Sequence, residues 1–126
     1  MKLPRLLASL GASALVLGLG HLPASAAEVP AGVWVRPGYK LSVAVEGIKI
    51  PRFLAFGPNN TLFVSVPKEG KIVACRDKDG DGVYETQTVF VSGKEPTSIV
   101  QGMQWHDGWL WFAQLNAISR ARDTNG

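Results

Sequence analysis

Asp77, Asp79 and Asp81 stand at alternate positions of one short run, Asp77-Lys78-Asp79-Gly80-Asp81-Gly82. Gly80 and Gly82 permit a tight fold-back, so the three carboxylates converge on one point. A hard cation such as Ca²⁺ wants about six to eight oxygens. The three aspartates supply part of that set, the Val83 carbonyl another ligand, and Glu85 could add one from a different geometry. The first half of an EF-hand loop has this form. Thr88, however, stands where the bidentate glutamate would be, and no helical periodicity flanks the loop, which argues against an EF-hand. The same run also reads as an Asp/Gly-rich hairpin loop held by Asx-turns and solvated by water. The spacing leaves both readings open.

Other reactive side chains are few. His106 sits in Trp105-His106-Asp107-Gly108. It could be a general base oriented by Asp107, but Asp-Gly is a standard hairpin dipeptide, and adjacent residues at a hairpin tip rarely face each other. The expectation is a surface turn. Cys75 is the single cysteine; it has no disulfide partner within the chain and reads as a half-buried strand residue. There is no Gly-rich phosphate loop, paired-cysteine motif or nucleophile elbow. Spacing therefore assigns no catalytic residue, and cofactor-binding residues remain unassigned.

The elements that must carry these residues repeat. Arg76-Asp77-Lys78-Asp79-Gly80 returns as Arg122-Asp123-Thr124-Asn125-Gly126, 46 residues on (122 − 76). The same offset takes Val43, Val45 and Gly47 to Val89, Val91 and Gly93. A period of about 40–50 residues built of short strands points to β-propeller blades. Four short strands joined by tight turns are expected between Phe53 and Val91. Phe53-Leu54-Ala55-Phe56 lacks polar alternation and is expected to be buried on both faces. Thr61 to Val66, Lys71 to Arg76 and Thr86 to Val91 follow, with turns at Gly57-Pro58-Asn59-Asn60 and Pro67-Lys68-Glu69-Gly70. Leu41, Val43 and Val45 alternate with Ser42 and Ala44, which reads as a further strand.

A second round matches the first. Leu54 and Phe56 correspond to Met103 and Trp105, Leu62-Phe63-Val64 to Leu110-Trp111-Phe112, and Ile72 to Ile118. The second blade lacks a fourth strand. Trp109 and Trp111 should share one strand face, with Leu110 and Phe112 on the other. This aromatic cluster suits packing between blades, or stacking on a sugar or a planar cofactor.

The N-terminus is different in kind. Lys2 and Arg5 precede a run of mostly Leu, Ala, Val and Gly from Leu6 to Leu22, and Ala24-Ser25-Ala26 offers small residues for cleavage. This is the pattern of a secretory signal peptide over residues 1–27. Its removal reduces the 13 Lys+Arg of the chain to 11 (13 − 2) against 10 Asp+Glu. No basic patch for nucleic acid or an anionic membrane survives that correction. Hydrophobic residues make up 46% of the chain and charged ones 18%, an ordinary globular composition.

The ordered motifs Pro37-Gly38-Tyr39-Lys40-Leu41-Ser42-Val43, Pro51-Arg52-Phe53-Leu54-Ala55-Phe56-Gly57-Pro58, Leu62-Phe63-Val64 and Arg76-Asp77-Lys78-Asp79-Gly80-Asp81-Gly82 resemble the first blade of secreted sorbosone-dehydrogenase-like proteins. Those proteins are similar to the soluble quinoprotein sugar dehydrogenases, propellers that use pyrroloquinoline quinone (PQQ) and Ca²⁺. Gly102-Met103-Gln104-Trp105 and Gly108-Trp109-Leu110-Trp111-Phe112 resemble the second blade. The resemblance implies oxidation of a sugar or aldehyde, with hydride passing to the quinone and a histidine removing the hydroxyl proton. The base of those enzymes precedes the first strand of an early blade. The matching stretch here, Ser98-Ile99-Val100-Gln101, has no histidine, and the Gln101 amide cannot act as a base, so no catalytic residue is carried over.

The expectation is an all-β chain: a signal helix over 1–27, then residues 28–126 as a partial β-propeller of about two four-stranded antiparallel blades. Functionally it is an exported, periplasmic or secreted propeller resembling PQQ-dependent sugar or aldehyde dehydrogenases, incomplete here and inactive alone. The alternative is a non-enzymatic extracellular binding or scaffold propeller with Ca²⁺-stabilised loops. A third is a short Ca²⁺-stabilised β domain, complete as it stands. The expected partners are a sugar or aldehyde if it is an enzyme, and missing blades or self-association to cover strand edges. Nucleic acid is not expected, nor a membrane once the leader is removed.

Overall fold

The computed structural model describes residues 32–93 and 100–125. The leader expected over 1–27, the Ser98-Ile99 stretch and Gly126 lie outside the described residues. Two antiparallel meander sheets make up the fold. The first contains β1 (Leu54–Phe56), β2 (Leu62–Val66), β3 (Lys71–Arg76) and β4 (Thr86–Ser92), in that order. The second contains β5 (Gly102–His106), β6 (Trp109–Ala113) and β7 (Ile118–Ala121). The only helical elements among the described residues are two single 3₁₀ turns, Pro58–Asn60 and Pro67–Glu69, and no helix there is long and apolar enough to cross a membrane.

The turns form where residues tolerate unusual backbone. Asn59 and Asn60 take φ of 51° and 53°, in the left-handed region that Asn accepts more readily than most residues. Asp107 (φ 54°) and Gly108 (φ 76°) make the two-residue hairpin between β5 and β6. Ser65 is fully buried, and its hydroxyl accepts a hydrogen bond from the Phe53 N–H at 2.9 Å.

Strand alternation then sorts side chains onto faces. On the first sheet, Ala55, Phe63, Ile72 and Ala74 point to one side. Leu54, Phe56, Leu62, Val64, Val73 and Cys75 point to the other. A β-bulge between Ile72 and Val73 pairs Ile72 with Val91 and Val73 with Val89, leaving Phe90 as the extra residue. Consecutive Phe90 and Val91 therefore both pack into the same core.

That core lies between the sheets. Ala55, Phe63, Ile72 and Ala74 meet Leu110 and Phe112, with Met103, Trp105 and Ala121 against them. The sheets approach most closely where β1 lies against β5. A second apolar layer covers the far side of the first sheet: Leu62, Val64, Val66, Val73, Cys75 and Tyr84, closed by Val45 and Ile48.

The two layers are copies of one pattern. Val45, Leu62, Val64 and Cys75 of the outer layer recur as Val91, Leu110, Phe112 and Ala121 of the inner one, displaced by 46–48 residues (91 − 45, 110 − 62, 112 − 64, 121 − 75). The sequence repeat is thus also a repeat of packing.

Two expectations need correction. Leu41 to Val45 forms no strand. Leu41, Val43 and Val45 are half-buried while Ser42 and Ala44 are exposed, so the alternation is real. Its backbone ties are sparse, however: Ala44 O accepts from Tyr84 N at 2.8 Å, and Glu46 O from the Gln87 side chain at 2.6 Å. An extended segment packed on a face, rather than along an edge, has no ladder to join. The second correction concerns β1, which is not buried on both faces. Ala55 is buried, while Leu54 is 60% and Phe56 65% exposed. Val45 and Ile48 pack on the β2 and β3 residues of that face and leave Leu54 and Phe56 largely uncovered.

Candidate metal centre

The loop from β3 to β4 is built by its own carboxylates. Asp77 Oδ1 accepts from Gly80 N at 2.7 Å, and Oδ2 from Gly82 N at 3.0 Å. Asp79 Oδ1 accepts from Asp81 N at 3.3 Å, and Asp81 Oδ1 from Val83 N at 2.7 Å. Glu85 reaches back so that its Oε2 accepts from Lys78 N at 3.2 Å. Gly80 (φ 79°) and Gly82 (φ 90°) adopt left-handed backbone that a side chain would strain.

The result gathers Asp77, Asp79, Asp81 and Glu85, with one carboxylate oxygen of each within 4.8 Å of the others. Asp77 is half-buried and the other three are exposed. The three aspartates named from spacing are brought together as expected. Val83 is half-buried beside them, and its N–H orients Asp81. Glu85 joins the group although it lies outside the alternating run, because the return of the chain into β4 carries it back across the loop.

Hydrogen bonding favours the ionised form of Asp77. Desolvation pushes its carboxyl upward. The backbone N–H groups of Gly82, Gly80, Asp79 and Asp81 pull it down and prevail, so it lies below the usual aspartate value. An ionised, preorganised carboxylate with neighbours of the same charge suits a hard divalent cation. The partial copy repeats the local bond: Asn125 N donates to Asp123 Oδ1 at 2.9 Å. Asn125, however, is a neutral residue where the first loop has Asp79.

The remaining candidates fall elsewhere. Cys75 is fully buried in the outer layer, where desolvation pushes its thiol up. His106 is exposed at the hairpin tip. Among the described residues no side-chain hydrogen bond joins it to Asp107, and its carbonyl accepts from Trp111 Nε1 at 3.3 Å. Trp109 and Trp111 share the face of the second sheet that points away from the core. The Arg120 guanidinium lies 4.2 Å from the Trp109 ring centre and 5.1 Å from that of Trp111, with Arg122 4.5 Å from Trp109.

A cavity of about 320 Å³ opens between the sheets, with Phe63, Phe90 and Trp105 in its wall and Arg76 and Asp123 at its charged edge. One cation beside one carboxylate is a poor match for PQQ, a planar quinone bearing several carboxylates. This cavity therefore does not fit that group. The acidic loop does fit Ca²⁺ by donor type.

Comparison with protein-family models, curated proteins and solved structures finds no match for this chain.

Proposed function

We propose that this chain is a run of β-propeller blades from an exported protein, serving as a binding scaffold whose β3–β4 loop is stabilised by Ca²⁺. The observation that carries this reading is the recurrence of one apolar layer, Val45/Leu62/Val64/Cys75 as Val91/Leu110/Phe112/Ala121. Two sheets in contact at their first strands, with an outer layer that repeats the inner one, support a reading as blades around an axis. Asp77, Asp79, Asp81 and Glu85 would hold the cation, which would clamp the hairpin between β3 and β4.

Dehydrogenase chemistry is the second reading, favoured by the order of motifs along the chain. It requires a base and a quinone site that the described residues do not assemble, so the scaffold reading stands first.

Calcium titration tests the metal. A bound ion stabilises the native state by about 2.7 kcal/mol at a hundredfold excess over its dissociation constant. That is several degrees of melting temperature for a small domain. The melting temperature should rise with Ca²⁺, and Asp79→Ala should abolish the rise. Identical melts in Ca²⁺ and in chelator would remove the ion from the proposal.

A further inference from the structure

We propose that this chain associates with itself head to tail, the Leu54/Phe56 edge of one copy seating on the Trp109/Trp111 face of the next. The template is the contact already made inside the chain. There, Phe63 of the first sheet stacks on Trp105 of the second at 5.5 Å, with ring planes 3° apart. The repeat displays each half of that contact again, with no counterpart among the described residues. Trp105 and Met103 have Phe56 and Leu54 as their equivalents in the first sheet, and both of these are mostly exposed. Phe63 and Ile72 have Trp111 and Ile118 as their equivalents in the second. Ile72 is fully buried between the sheets, while Ile118 is 76% exposed.

One copy therefore carries an acceptor face and a donor edge of the kind that already fit together. They are different patches, so the contact is heterologous and propagates into a ring or a filament rather than closing as a two-fold dimer. The acceptor face is not plain apolar. Arg120 stands where the first sheet has Ala74, and its guanidinium lies over both indoles, 4.2 Å from the Trp109 ring centre and 5.1 Å from that of Trp111. A planar, weakly hydrated guanidinium is the cation best tolerated in such a contact. The donor edge is narrow, because Val45 and Ile48 already cover the outer part of that face. This inference rests on the same repeat as the proposed function, but not on the metal.

Sedimentation velocity on the full chain, from about 5 to about 100 µM, tests it with Phe56→Glu and Trp111→Glu. The unaltered chain should associate beyond a dimer as concentration rises, and each variant should weaken association at least tenfold. An equimolar mixture of the two variants should form a one-to-one pair and stop there. In that pair Trp111→Glu supplies an intact Phe56 edge, and Phe56→Glu supplies an intact Trp111 face. If Trp111→Glu fails to melt cooperatively, Ile118→Glu on the same face replaces it. A chain that stays monomeric, association that neither variant alters, or a mixture that forms no pair would each overturn the inference. Aggregation through the apolar leader would show as the second of these, since all variants share it. A monomer whose melt still responds to Ca²⁺ would end this inference and leave the proposed function standing.

Discussion

Phe63 and Trp105 stack face to face across the two sheets, 5.5 Å between ring centres. Phe90 meets Phe63 from the side at 4.8 Å. These three rings tie β2, β4 and β5 together. Trp105→Ala should therefore uncouple the sheets as well as lose area, at a cost of roughly 2–4 kcal/mol for a half-buried tryptophan. Trp105→Phe should recover most of it. Urea denaturation gives both values, and a cost for Trp105→Ala below about 0.5 kcal/mol would show that the stack is incidental.

Gly57 sits directly beneath this stack. A Cβ there would come within 2.5 Å of Phe63 Cε2 and 3.4 Å of Trp105 Cε3. Phe63 is held by rings on two sides and cannot swing clear. Gly57→Ala should cost about 1–3 kcal/mol through overpacking. Adding Phe63→Leu should make the pair of changes less damaging than the sum of the singles. Strict additivity in a double-mutant cycle would mean that the two positions do not touch in solution.

Asp77 ties the loop's stability to pH. Its folded carboxyl titrates below the unfolded value, so its contribution is fully present above the unfolded value, near about 3.9. The contribution disappears as pH falls through the folded value. The amide signals of Gly80 and Gly82, which donate to this carboxylate, should move together in NMR with a midpoint below that of a free aspartate. Asp77→Asn should remove the transition. A midpoint at or above the free value would contradict the hydrogen-bonded geometry.

Cys75 should be chemically silent in the native state. It is fully buried, and desolvation raises its thiol, which lowers the thiolate fraction that reacts. Alkylation by iodoacetamide should be on the order of 100-fold slower than in urea, limited by opening of the outer layer. Ca²⁺ should slow it further if the β3–β4 clamp stabilises that layer. Native and unfolded rates of similar size would place the thiol at the surface.

Much of the local architecture was legible beforehand. Lys71–Arg76 is β3 with the bounds expected, and Thr86 to Val91 is one residue short of β4. Asn59, Asn60 and Gly108 mark turns through their tolerance of positive φ. Trp109 and Trp111 fall on one face and Leu110 and Phe112 on the other, since alternation follows from strand geometry alone. The converging aspartates were legible for a similar reason: their spacing and the two glycines are local.

What escaped was whatever depends on a distant neighbour. Leu54 and Phe56 read as core, yet no segment among the described residues covers them. Leu41 to Val45 has a strand's alternation but lies across a face rather than along an edge. Phe90 and Val91 would point to opposite faces in a regular strand. The bulge opposite Ile72 turns both inward, and nothing in Thr86 to Val91 announces it.

The sequence by itself determined where the chain extends, where it turns and that one module recurs. Those properties follow from backbone preference and side-chain period over a few residues. Only the tertiary structure decided which apolar faces meet and which stay exposed. Burial is a relation between segments far apart in the chain, and no local pattern encodes the partner.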